Sequence, residues 1–389
     1  MNEEIKKEKK IRKKGNIIFP LFIMLFCLIL GFFSLFGFFV PDREISENEN
    51  RVLATMPELT VSTVLDGSFM KDFEAYLADQ FPLRDGAIYL KSFFERLWGK
   101  KQENGVYIGK NDFLFDKPTA FDEEKMIATA KAVKDFCKEN KKLKSVFALA
   151  PDSTCIYGEY LPEGLIVPDR SEEIGKFYVG LDKDIATVDT VTALNKEKGK
   201  HNVFYKTDHH WTTRGAYSVF LEIAKELSLD VKERDFEFHT VANDFEGTLK
   251  SKSTFARSED SVEICLPKKS EGTYYIEIPG ADEKYASCFF EDKLKEKNKY
   301  EVFLGGNYEK LTITTTLPEG RKLVVIKDSF ANCLIPMLTP YFTKIVVLDP
   351  RYMTESVQNV LQEDDFTDLL FLYNANTFFS DTSLMGVIE

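Results

Sequence analysis

The 389-residue sequence predicts an α/β fold, a mainly parallel sheet flanked by helices. Two patterns carry that reading. Residues 145–150, 323–327 and 369–373 are nearly unbroken apolar runs without in–out alternation, as in strands covered on both faces. Such runs alternate with stretches of helical periodicity, the rhythm of β–α units. A hydrophobic fraction of 44% with 34 phenylalanines supplies a core for that sheet and excludes a disordered chain.

From the N-terminus, residues 1–15 form a basic tail, seven Lys/Arg against three Glu. Residues 16–40 read as a transmembrane helix. No charge occurs between Ile17 and Val40, and at about 1.5 Å per residue the run spans a bilayer core of roughly 30 Å. Pro41-Asp42-Arg43 follows instead of a small-residue cleavage site, which favours an uncleaved anchor over a signal peptide. The basic flank orients it, N-terminus cytoplasmic and body extracellular, at the cell membrane. Residues 41–100 read as a linker and a helical segment, with apolar periodicity from Phe69 to Trp98 broken at Pro82.

Residues 101–389 form the α/β domain. A hairpin pattern spans 107–115, a helix 123–140, a strand 145–150, and short strands lie near 186–188 and 203–205. Thr212 or Thr213 caps a helix running to Leu227. Residues 230–320 lose the rhythm and read as a β-rich insertion, with turns at Asn243 and Gly280. From Lys322 the alternation resumes, with a strand to Lys327, a helix over 330–343 and strands at 345–348 and 369–373.

The net charge is −12; the tail contributes +4, leaving −16 on the rest. An acidic outer domain binds nucleic acid poorly, which directs attention to neutral or cationic partners, sugar polymers among them. Cys27 lies in the apolar run. Cys137, Cys155, Cys265, Cys288 and Cys333 have no metal-type spacing and permit at most two bridges, Cys265 with Cys288 being one candidate.

Only four histidines occur, two of them adjacent in Thr207-Asp208-His209-His210-Trp211-Thr212. On an extended segment, Asp208 and His210 share one side and His209 points away. Ser329 lies two residues past the strand ending at Lys327, at a predicted helix start, on the edge where a doubly wound sheet gathers reactive groups. In one reading Asp208 orients His210, His210 takes the Ser329 proton, Trp211 packs beneath, and N–H groups at the helix start stabilise an oxyanion. That is acyl-transfer or ester chemistry. In the other, Asp328 or Ser329 is only an N-cap, Asp208 and His210 cap the next helix, and Trp211 is core. Asp-His-His also resembles the DHH phosphoesterases, but the further acidic motifs those need are missing, so no metal is expected.

These residues carry a resemblance. The chain resembles the DHHW proteins of Gram-positive bacteria and, more distantly, the alginate O-acetyltransferase group with SGNH-hydrolase-like domains (AlgX/AlgJ-like). Supporting stretches are Ser46-Glu47-Asn48-Glu49-Asn50-Arg51, Asp79-Gln80-Phe81-Pro82-Leu83-Arg84, residues 109–115, Leu304-Gly305-Gly306-Asn307 and Leu348-Asp349-Pro350-Arg351-Tyr352. Asp-x-His-Trp, from Asp208 to Trp211, and Asp-Ser-Phe, from Asp328 to Phe330, are the most specific.

The resemblance implies an SGNH-hydrolase-like fold and a triad of Asp208, His210 and Ser329, in an order that puts the serine last instead of first. Lys327 departs from the glycine of the usual Gly-Asp-Ser block, and no clear Gly-x-Asn-Asp block occurs. Gly306 and Asn307, with the Ser329 amide, become the oxyanion candidates; Arg351 and Tyr352, after the next strand, are candidates for touching an acceptor.

The implied activity is extracytoplasmic O-acetyl transfer through Ser329 to a cell-surface polysaccharide or exopolysaccharide. No cofactor is expected, and the acetyl donor is expected to be a membrane-bound O-acyltransferase partner. A glycan acetyl esterase needs the same residues. A non-catalytic glycan-binding or scaffold subunit is the alternative from another class.

Overall fold

The computed structural model describes residues 19–29, 31–32, 36–37, 39–46, 51–181, 183–232, 235–253, 258–268, 273–318 and 320–388. Two compact units divide the chain, Met1–Gly99 and Lys100–Glu389.

In the first unit residues 19–29 are helical, and Phe19, Phe22 and Leu28 are exposed. Among the described residues no helix is long and apolar enough to cross a membrane. The basic tail, residues 16–18, 30, 33–35 and 38 of the expected anchor, and 47–50 of the linker lie outside the described residues. Helices Ser68–Gln80 and Arg84–Leu97 flank the expected break at Pro82, where Leu83 takes φ 61°. The motif around that break ties down the extended chain before it. Asp79 accepts from the Ala54 amide at 2.9 Å, and Gln80 Nε2 donates to the carbonyls of Arg43 and Ala54, each at 3.0 Å.

The second unit is built on a seven-stranded sheet: β1 (Lys144–Ala150), β2 (Ala186–Thr187), β3 (Tyr274–Glu277), β4 (Lys310–Thr315), β5 (Arg321–Lys327), β6 (Phe342–Leu348) and β7 (Asp368–Asn374), in spatial order β3-β4-β6-β5-β7-β1-β2. From β6 to β2 the neighbours are parallel, while β3 and β4 add antiparallel at one edge. Side chains of β5 alternate between two apolar layers. Leu323 and Val325 join one with Trp211, Val219 and Phe220; Val324 and Ile326 join the other with Val133, Phe136 and Phe177. Both layers being apolar is why the strand sequence shows no alternation. Helices α1 (Glu123–Glu139) and α2 (Arg170–Gly180) contribute to the second layer, and α3 (Thr190–Lys198) and α4 (Thr213–Glu226) to the first. Thr212 caps α4 through Gly215 N at 3.2 Å, as its position in the sequence predicts.

Four expectations change. The single helix over 330–343 is a 3-10 turn at Ser329–Cys333, a short helix at Ile335–Leu338 and a second turn at Thr339–Tyr341. Pro336 and Pro340 each remove a backbone donor, so a continuous helix cannot propagate. Asn243 is not a turn but lies in the strand Phe236–Phe245, where the register with Asp260–Pro267 slips on either side of Ala242. Residues 203–205 form no strand, only a bridge of Phe204 to Trp211. Cys265 and Cys288 are both free and buried, each acting as a small apolar side chain in the first layer.

Candidate active site

Two chain segments meet at the carboxyl end of β5. Asp328 leaves the strand as an N-cap: one carboxylate oxygen accepts from Phe330 N at 2.9 Å and the other from Asn374 N, at the end of β7, also at 2.9 Å. Those bonds fix the turn that presents the partly exposed Ser329. The turn is five residues of 3-10 helix, so the dipole of a full helix, expected from the sequence, does not operate there. What remains is local: the Ser329 N–H heads the turn, where no intrahelical acceptor exists.

Opposite it, residues 207–210 turn instead of running extended. Asp208 Oδ1 accepts from the His210 amide at 3.0 Å and from His210 Nδ1 at 2.6 Å. His210 Nε2 lies 2.8 Å from Ser329 Oγ. Asp208, His210 and Ser329 thus form one hydrogen-bonded chain. The same turn overrides the expectation that His209 points away: its ring centroid is 3.9 Å from that of His210.

The 230–320 stretch, expected to supply only Gly306 and Asn307, builds much of the wall of the site. Thr248 donates to Asp208 Oδ2 through its amide at 2.8 Å and its hydroxyl at 3.0 Å. Gly247 permits that approach, because a Cβ there would lie 2.3 Å from Asp208 Cβ and 2.6 Å from Thr207 O. Asp260 accepts from Lys206 N at 3.0 Å, Thr207 N at 2.8 Å and Thr207 Oγ1 at 2.6 Å, bracing the loop before Asp208. The Tyr300 ring stacks on His210 with centroids 3.8 Å apart and planes 10° from parallel, and its hydroxyl donates to the Ser329 carbonyl at 3.1 Å. Trp211 is buried as expected and donates from Nε1 to Phe330 O at 2.8 Å. Of these partners only Gly247 offers a signal in the sequence, a glycine where close approach is needed; Thr248, Asp260 and Tyr300 offer none.

Charge follows from this packing. Burial works to raise the Asp208 carboxyl, but the adjoining His209 and His210 imidazoles and the bonds from His210 and Thr248 outweigh it and hold it well below the usual carboxylate range. Asp208 is therefore an ionised acceptor, the shared proton sits on His210 Nδ1, and Nε2 is left to accept from the Ser329 hydroxyl. His209 is pushed down by burial and by its neighbour His210. Burial pushes the Asp328 carboxyl up to about 6.

Lys327, standing in the glycine's place, is 2% exposed. Its Nζ donates to Asn307 Oδ1 at 2.8 Å and Asp349 Oδ2 at 3.2 Å. Asn332 Nδ2 also donates to Asn307 Oδ1, at 3.2 Å. With its oxygen holding two donors, the Asn307 amide directs its NH2 elsewhere. Gly306 precedes it at φ 135°, a conformation that favours glycine. Arg351 grips Asp349 with both ends of its guanidinium, at 2.8 and 2.6 Å, and Tyr352 is 51% exposed. Among the described residues no hydrogen bond joins Arg351 or Tyr352 to Ser329. The possible ligand atoms of Asp208, His209 and His210 lie within 4.8 Å of one another, but the hydrogen bonds above engage both Asp208 oxygens and both His210 nitrogens.

Residues 106–274 match the family model described as SGNH hydrolase-like domain, acetyltransferase AlgX. A probable alginate O-acetylase AlgJ of Pseudomonas syringae pv. tomato is 25% identical over 224 residues, 54% of this chain and 56% of that protein. The chain therefore spans about half the length of that relative. Among solved structures, a DHHW family protein from Eubacterium siraeum superposes with a TM-score of 0.62 at 23% identity, covering 73% of this chain and 95% of the other. Bacillus cereus PatB1, solved with a sulfonyl adduct, gives 0.61 at 18% identity over 72% of this chain and 97% of its own. At those identities the structural likeness is one of fold. Residues 106–274 thus resemble the SGNH hydrolase-like domain of the AlgX acetyltransferase family model, and the chain shares its fold with a DHHW family protein.

Proposed function

We propose that this chain is an O-acetyltransferase that forms an acyl-enzyme on Ser329. The observation that carries the reading is the continuous hydrogen-bonded chain from Asp208 through His210 to the Ser329 hydroxyl; the match to an acetyltransferase domain family supports it. Ser329 Oγ attacks the acetyl carbonyl while His210 Nε2 takes its proton. The imidazolium is held by Asp208 and faces the Tyr300 ring, a favourable cation–π arrangement. The Ser329 amide and the Asn307 NH2 serve the oxyanion. The leaving group departs with the proton from His210, leaving an acetyl ester on Ser329. An acceptor hydroxyl then passes its proton to His210 and attacks the ester, and as the tetrahedral intermediate collapses to the acetylated acceptor His210 returns that proton to Ser329 Oγ.

The relative's name, alginate O-acetylase, favours a polysaccharide as acceptor, and the acidic charge of the chain favours a neutral or cationic one. The run from Ile17 to Val40 fits an anchor that holds the domain outside the cell membrane, with a membrane-bound O-acyltransferase handing over the acetyl group. Arg351 and Tyr352 then stand as acceptor contacts.

The test is acetyl release from p-nitrophenyl acetate by the full chain, with Ser329→Ala and His210→Ala beside it. Each variant is expected to lose on the order of a thousandfold in kcat/KM. A folded Ser329→Ala protein that releases acetate at the wild-type rate overturns the proposal. With oligosaccharides added, acetylated sugar marks a transferase and free acetate alone marks an esterase.

A further inference from the structure

Two adjacent imidazoles compete for one buried carboxylate. His210 Nδ1 holds Asp208 Oδ1 at 2.6 Å, yet His209 Nδ1 lies only 3.5 Å from the same oxygen. A histidine donating to Oδ1 in place of His210 would leave His210 free to rotate and to change tautomer. We infer that Thr248 decides this competition: it draws off the His209 proton and reserves Asp208 Oδ1 for His210.

The Thr248 hydroxyl owns one hydrogen and lies 3.0 Å from Asp208 Oδ2 and 2.9 Å from His209 Nδ1. The carboxylate can only accept, and a bond to an ionised acceptor is the stronger, so the hydrogen goes to Asp208. The hydroxyl oxygen must then accept from His209, which fixes the proton of His209 on Nδ1 and satisfies it without touching Oδ1. With the Thr248 amide also on Oδ2 and the His210 amide also on Oδ1, the buried carboxylate has four donors and no vacancy for a fifth. Thr248 touches no reacting atom; it is a positioning residue, contributed by the 230–320 stretch. The inference rests on the acyl-transfer reading only for its consequence in rate.

The test uses the full chain labelled with 15N-histidine, whose four imidazoles give a spectrum simple enough to assign by variants. A histidine Nδ1 proton shared with a carboxylate is strongly deshielded. Two histidines are so placed, the exposed His201 at Glu197 and the buried His210 at Asp208, each at 2.6 Å, and a His201→Ala background leaves the signal of His210 alone. Thr248→Val keeps the amide bond and the shape but removes the hydroxyl. It is expected to move the His210 signal upfield, as His209 turns to Oδ1, and to lower kcat about 10- to 100-fold with KM little changed. Thr248→Ser restores both. The deciding variant is Thr248→Val with His209→Ala: removing the competitor returns the His210 signal and recovers about tenfold in kcat over the single variant. A His210 signal unmoved in Thr248→Val, or a double variant no better than the single, overturns the inference. Should wild type release no acetate, the acyl-transfer reading falls, while the imidazole signals still decide the role of Thr248.

Discussion

One sheet carries two Asp-Ser ends, and only one of them meets a base. β1 runs out at Ala150 into Pro151-Asp152-Ser153, and β5 runs out at Lys327 into Asp328-Ser329. In both, the aspartate caps the turn that follows. β7 lies between them, and its last residue serves both: Asn374 N donates to Asp328 Oδ2, while Nδ2 reaches the carbonyls of Ala150 and Pro151, each at 3.3 Å. What crosses over to each end differs. Asp152 meets the fully buried Arg170 guanidinium at 3.1 Å, which also holds Glu173 and Asn376. Asp328 meets backbone amides, and its serine meets His210. An Asp-Ser at a strand end is by default a cap; at β5 a loop from elsewhere in the chain adds a histidine within hydrogen-bonding distance of the serine.

That contrast can be broken at the serines first. Ser329→Ala should abolish acetyl release, by about a thousandfold or more, whereas Ser153→Ala should stay within about threefold of wild type in kcat/KM. Comparable losses in the two would mean that the second end is also engaged in chemistry. Next is the buried cation of the quiet end. Arg170→Met strands two carboxylates and should cost about 3–5 kcal/mol of stability by urea denaturation, with the folded fraction keeping its kcat. A loss of kcat without a loss of stability would give Arg170 a part in the reaction.

The smallest effect is on pH dependence, and it sharpens the Ser329 end. Burial raises Asp328 from an ordinary 3.8 to about 6, so between these values the folded chain binds a proton that the unfolded chain has released. Its contribution to stability is therefore full below about pH 4 and is lost as pH rises through 6. Asp208 has the opposite sign: its depressed carboxyl adds stability above the ordinary carboxylate range, lost only as pH falls well below it. Asp328→Asn should flatten the decline in urea-melt stability between pH 4 and 6. An unchanged slope would assign that decline to another group.

Legibility in the sequence divides along the same line. The Ser329 end is readable because β5 is a continuous apolar run and Asp-Ser follows it directly; strand position and cap are local properties. The Asp208 end is readable in its residues but not in its shape. Extended geometry puts His209 and His210 on opposite sides, and the Asp208 side chain, by accepting the His210 amide, turns the backbone and brings both rings together. Apolar periodicity alone overextends the helix after Ser329, which Pro336 and Pro340 cut short. Thr248, Asp260 and Tyr300 are out of reach for a plainer reason: each acts through contacts 40 to 54 residues away or, for Tyr300, across two segments at once, and a threonine or tyrosine in a loop carries no mark of what it will touch.

The position of β7 has a consequence for how the molecule comes into being. Residues 368–374 come after Asp208, His210 and Ser329 in the chain, yet they form the strand between β5 and β1. A ribosome that has delivered Asp208, His210 and Ser329 has delivered the whole of the proposed triad but not the strand that seats its serine turn. The Asn374 amide that completes the Asp328 turn emerges after all three. A chain cut before residue 368 would therefore keep Asp208, His210 and Ser329 yet lose the strand and the amide that seat the Asp328-Ser329 turn.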